Sequence, residues 1–174
     1  MDNILIIPIG NIDSQILKDI SDALKETFHC KVEIGGYIPI PHDALDHKRK
    51  QYHSTTIVKK IKSLKPKSFR RALGVIDKDL YVPELNFVFG EADIKSGATL
   101  ISLSRLRQEF YGLNPDKGLF HLRAMKEAIH EIGHTYGLGH CQSPECIMYF
   151  SNTIRDTDKK GPGFCSTCRK KLGI

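Results

Sequence analysis

His130-Glu131-Ile132-Gly133-His134-Thr135-Tyr136-Gly137-Leu138-Gly139-His140 is the stretch that decides the fold. Two histidines four residues apart on a helix lie on one face about a turn apart, so His130 and His134 can meet one cation, at roughly 2.0–2.1 Å if it is zinc. Glu131 points around the helix toward a water on that ion. Zinc lowers the pKa of such a water toward about 7; a carboxylate there can take its proton and later pass it to a leaving amine, which is the chemistry of peptide-bond hydrolysis. A helix that ran on would carry His140 away. Gly137 in a left-handed conformation is predicted to end the helix and swing the chain back, with Gly139 loosening the same turn. Three nitrogen ligands leave a fourth position open for water, as in a catalytic rather than a structural zinc site.

Cys141 follows His140 directly, Cys146 follows with four residues between, and Cys165 and Cys168 form a CxxC pair after 18 further residues. Each pair can fold as a tight knuckle, and a metal can join two knuckles without a hydrophobic core, so the spacing predicts a second, four-thiolate structural zinc. Cys30 stands apart and reads as a small core residue.

Outward from the motif, Leu122, Met125, Ile129, Ile132 and Tyr136 set an apolar stripe for a helix over 119–136. At the other end of the chain, the unbroken aliphatic run Ile4 to Ile9 predicts a strand buried on both faces. A helix from Asp13 or Ser14 to Phe28 and a strand over Lys31–Ile34 complete a parallel β-α-β unit. Proline-rich loop to Lys50, a helix over Gln51–Leu64, and strands over Ala72–Ile76 and Leu85–Phe89 follow, with polar loop from Gly90 to Gly97. Ala98 to Leu106 alternates in part, which predicts an edge strand.

The 174 residues suit one globular domain. A net charge of +6 comes from scattered basic pairs such as Lys159-Lys160, which solvated faces explain. No aromatic residues interleave with them as a nucleic-acid groove requires, so a zinc-ribbon-like nucleic-acid binder built on Arg169, Lys170 and Lys171 is the minor reading. The N-terminus lacks a basic segment and its apolar run breaks at Pro8, and no stretch reaches the about 20 residues that span a bilayer. The expectation is a cytoplasmic protein with reduced cysteines and no membrane partner.

HExxHxxGxxH from His130 to His140, the C-x4-C-x-M from Cys141 to Met148 and the distal Cys165–Cys168 pair resemble the archaemetzincin family of metzincin-clan zinc metallopeptidases. Further upstream the likeness rests on element order and on Ser102 to Leu106. The resemblance implies an α+β metzincin-like fold: a twisted mixed sheet with helices, an active-site helix, and a small zinc-braced C-terminal subdomain. It divides the single domain 1–174 into an upper subdomain 1–137 and a lower one 138–174. His130, His134 and His140 would bind a catalytic zinc with Glu131 as base, Cys141, Cys146, Cys165 and Cys168 a structural zinc, and Met148 would be the Met-turn residue beneath the histidines. Some metzincins carry a tyrosine ligand two residues after that methionine; here Phe150 stands there, and Tyr149 is not assigned to the metal. The edge strand near Ala98–Leu106 would hold an extended substrate. The activity implied is that of a monomeric aminopeptidase or endopeptidase acting on a peptide or protein; the alternative is a peptide- or protein-binding domain with a latent zinc.

Overall fold

A computed structural model describes residues 2–174. β1 (Asn3–Ile9) is the spine of a five-stranded sheet of order β2-β1-β5-β8-β7, with β2 at Lys31–Ile34, β5 at Arg71–Ile76, β8 at Ala98–Ser102 and β7 at Gly90–Asp93. The first four strands run parallel and β7 runs antiparallel to β8. Because successive residues face opposite sides, Ile4 and Ile6 enter one core while Ile7 and Ile9 enter another. The uninterrupted aliphatic run is thus explained by burial on both faces.

Helices α1 (Ser14–Phe28) and α3 (Lys117–Thr135) cover the first face, where Ile16, Leu17, Ile20 and Leu24 meet Leu73, Ile101, Ala128 and Ile132. The Asp13 carboxylate accepts from the amides of Gln15 and Ile16 at 2.8 and 3.2 Å, satisfying two free donors of the first turn. Helix α2 (Ser54–Leu64) covers the second face with Ile57, Val58 and Ile61.

Three elements differ from their sequence reading. Ala98–Ser102 is a fully buried interior strand between β5 and β7, not an edge. Its polar residues do not face water: the Thr99 hydroxyl donates to the Ala72 carbonyl at 3.0 Å and Ser102 to that of Lys78 at 2.6 Å. A short hydroxylated side chain that bonds to a backbone carbonyl, as that of Ser102 does, reads in the sequence as solvent-facing. The edge on this side is β7, inside the stretch read as loop, whereas Leu85–Phe89 forms no strand of its own: Val88 makes an isolated bridge to Leu80, and the Phe89 carbonyl accepts from the Ser102 amide. Gln51–His53 forms β4 rather than the first turn of a helix; it pairs with β3 (Leu45–Asp46) and β6 (Leu80–Tyr81) in a small second sheet.

Candidate metal centres and active-site cleft

Helix α3 is capped at its start by Asp116, whose side chain accepts from the Leu119 amide at 2.9 Å, and at its end by Tyr136. Gly137 follows with φ of 85°, and its amide bonds the His134 carbonyl at 2.9 Å. This left-handed residue turns the chain as the motif predicts. Gly139 has no such conformation, and a side chain there would meet open space.

The turn brings His140 back so that one ring nitrogen from each of His130, His134 and His140 lies within 4.8 Å of the others. His130 is buried and His140 exposed. Each helical histidine is oriented from behind: Nδ1 of His130 sits 2.8 Å from the Ile147 carbonyl and Nδ1 of His134 2.8 Å from that of Leu138. A carbonyl can only accept, so both Nδ1 atoms carry the proton and both Nε2 atoms present bare lone pairs. Those two Nε2 atoms are 3.1 Å apart. Facing lone pairs at that distance repel unless a cation lies between them, so the donor set fits a metal. Burial, foremost, lowers the pKa of all three histidines and keeps them neutral, as ligation requires.

The four sulfurs of Cys141, Cys146, Cys165 and Cys168 also lie within 4.8 Å of one another, and none is in a disulfide. Cys141 and Cys165 Sγ are 3.7 Å apart; a tetrahedron with metal–sulfur bonds of about 2.3 Å has edges of about 3.8 Å. Backbone amides of Ser143 and Cys165 donate to Cys141 and Cys146 sulfurs at 3.5 and 3.4 Å, support that thiolates accept. The Cys168 amide pulls the Cys165 thiol down to about 7, while burial raises Cys146 and Cys168. Cys30 lies outside this cluster, half-buried against the first core, and burial raises its thiol.

Met148 is wholly buried, and its carbonyl accepts from the Cys141 amide at 2.9 Å, tying the two clusters' loops together. A Cβ on Gly133 would fall 2.7 Å from Met148 Sδ. The thioether therefore packs on the helix backbone next to His134. Phe150 lies against His140, ring centroids 4.7 Å apart.

A cleft of about 460 Å³ joins the three histidines to β7, Phe87, Phe150, Glu131, Glu127 and Lys160. Glu131 is 6% exposed, and burial, followed by the neighbouring Glu127 charge, holds its carboxyl well above the usual range. Neither Gly90 nor Lys160 stands out in the sequence as part of this cleft. Gly90 reads as a strand terminator and Lys160 as half of a solvated pair, yet Lys160 is wholly buried.

Residues 1–173 match the model of peptidase family M54. The chain belongs to this family. It is 46% identical over 169 residues to archaemetzincin from Methanocaldococcus jannaschii, covering 97% of this chain and 92% of that one. The crystal structure of archaemetzincin from Methanopyrus kandleri superposes with a TM-score of 0.87 at 31% identity, over 99% of this chain and 93% of the other. A zinc-dependent peptidase from Methanocorpusculum labreanum does so at 0.86 and 30% identity, over 97% and 99%. The M54 chain described here is accordingly a zinc metallopeptidase with the twisted mixed sheet of archaemetzincins, it acts on peptide substrates, and its two clusters can hold two zinc ions. This membership does not favour the reading as a binding domain with a latent zinc. Among the described residues no helix is long and apolar enough to cross a membrane.

Proposed function

We propose that His130, His134 and His140 hold the catalytic zinc, that Cys141, Cys146, Cys165 and Cys168 hold the structural one, and that Glu131 is the general base of peptide-bond hydrolysis. The observation that carries the catalytic assignment is the pair of bare Nε2 atoms 3.1 Å apart with Glu131 beside them in the same cleft. When bound, zinc supplies a Lewis acid for the attacking water and the scissile carbonyl. Glu131 takes the proton of that water and returns it to the departing amine. Met148 is the floor under the helix at Gly133, and Gly137 divides an upper subdomain, 1–137, from a lower one, 138–174, which the cysteine zinc braces.

The substrate lies extended along β7, the edge strand of the sheet that borders the cleft. Phe89 and Ser102 are opposite one another and joined by a bond from the Ser102 amide to the Phe89 carbonyl at 2.8 Å. Antiparallel pairs alternate between bonded and unbonded positions, so Gly90 and Ala92 turn their N–H and C=O outward, where a peptide strand can pair. The protein works as a monomer. Its unpaired thiols suit the reducing cytoplasm.

The test is Glu131→Gln. It should retain both zinc ions by elemental analysis and lose chelator-sensitive cleavage of a peptide library by 10²-fold or more, the usual order for a general base; wild-type cleavage by this variant would sink the assignment. Running the library with free and acetylated N-termini separates aminopeptidase from endopeptidase action.

A further inference from the structure

The Glu131 side chain is seated against the sheet edge. A Cβ built on Gly90 would lie 2.7 Å from both Cγ and Oε1 of Glu131, and 2.7 Å from the Leu100 carbonyl oxygen. Real Cβ atoms do not approach that closely, so the carboxylate occupies the space that any other residue at position 90 would fill. The glycine is not demanded by backbone conformation, because Gly90 is not among the residues with positive φ. It is demanded by close approach, of the Glu131 side chain that rests on it and of the Leu100 carbonyl beside it. The same residue turns its own N–H and C=O toward the free edge, as the alternation of the β7–β8 ladder requires.

We propose that Gly90 is the positioning residue for Glu131: its bare Cα forms the seat that fixes the carboxylate in the cleft, while its outward peptide groups hold the substrate main chain. The inference rests on Glu131 being the base. One residue thereby sets the distance between the strand that carries the peptide and the group that handles the proton. A methyl group inserted at this contact pushes the carboxylate off its seat, and misplacement of a catalytic group by about 1 Å costs on the order of 10²-fold in rate. The Leu100 carbonyl belongs to the interior strand β8 and its contact is independent of Glu131, so a methyl group at position 90 also strains the β7–β8 pairing, a cost read in the thermal midpoint, whereas displacement of the flexible Glu131 side chain is read in kcat.

The experiment is a double-mutant cycle of Gly90→Ala and Glu131→Asp in the zinc-loaded full chain, read as kcat, KM, zinc content and thermal midpoint. Gly90→Ala should lower kcat by roughly 10- to 100-fold, leave KM within about threefold, and keep both zinc ions. A merely structural role would lower the midpoint and leave the kcat of the folded fraction intact. Glu131→Asp shortens the side chain by one carbon and withdraws it from the contact, so adding Gly90→Ala to it should lower kcat little further, while the strain against Leu100 still shows in the midpoint. Wild-type kcat in zinc-loaded Gly90→Ala, or losses that simply multiply in the double variant, would overturn the proposal. If Gly90→Ala does not fold, the double variant decides: recovery of a folded, zinc-loaded protein supports the Glu131 contact, and failure of both overturns it, since the clash then lies with Leu100 alone. Activity in Glu131→Gln would instead remove the base assignment on which the inference stands, a separate outcome.

Discussion

Lys160 Nζ lies 2.7 Å from Glu127 Oε1, with the two side chains 0% and 3% exposed. Glu127 is on α3 one turn before Glu131, and Lys160 directly follows α4 (Ile154–Lys159), so a charge pair sealed from water fastens the segment after the Met148 loop to the active-site helix. Two further contacts reinforce it. The Lys126 ammonium donates to the Thr157 and Asp158 carbonyls at 3.1 and 3.3 Å, and Arg123 grips both oxygens of Asp158 at 2.7 Å. The apolar core alone does not hold this side of the cleft together.

Lys160→Met tests how much the pair contributes. The variant leaves Glu127 charged, buried and without its counterion, a fault that typically costs about 3–5 kcal/mol. Denaturant unfolding should register that loss, and Lys160→Met combined with Glu127→Leu should recover most of it, because removing both charges removes the desolvation cost as well. A single variant as stable as the wild type would mean that water reaches the site.

Gly137→Ala isolates the backbone of the turn. A Cβ at this position meets nothing within 4 Å, so the substitution carries no steric cost beyond its φ of 85°. Holding alanine in a left-handed conformation costs about 1–2 kcal/mol. Relaxation of the strain would swing His140 away from His130 and His134, so zinc should leave the histidine cluster faster during competition with a chelator. Gly137→Asn should be milder, since asparagine tolerates this conformation. Equal zinc loss in the two variants would show that the turn geometry is not what positions His140.

The two clusters of candidate ligands, which the structure brings together, were legible in the sequence because ligation demands particular residue types at short, fixed spacings, and a helix turn plus one left-handed glycine is enough to close the histidine set. The central strands were legible for a different reason: Ile4 to Ile9 can satisfy its aliphatic run only by burial on both faces. What escaped depends on partners remote in the chain. Nothing near Gly90 announces that Glu131 will pack on it, and nothing near Lys160 announces Glu127. Ala98–Leu106 reads as an edge strand because Ser102 and Ser104 look solvent-facing until the Lys78 carbonyl that Ser102 donates to is known.

Cys165→Ser tests whether the second cluster braces the fold. Cys165 lies 3.7 Å from Cys141 across the cluster, and a serine hydroxyl is a poor replacement for a thiolate toward zinc. Structural zinc contributes directly to folding free energy, so its loss should lower the thermal midpoint by roughly 10 °C in a chain of this size. Elemental analysis should find the zinc content falling from two ions per chain toward one. The damage should also reach the histidines, because Cys141 adjoins His140 and its amide is bonded to Met148, the residue under Gly133. Peptidase activity should therefore fall further than the unfolded fraction accounts for, and added zinc should restore part of it. An unchanged midpoint with two zinc ions per chain would show that the four cysteines are not a structural metal site.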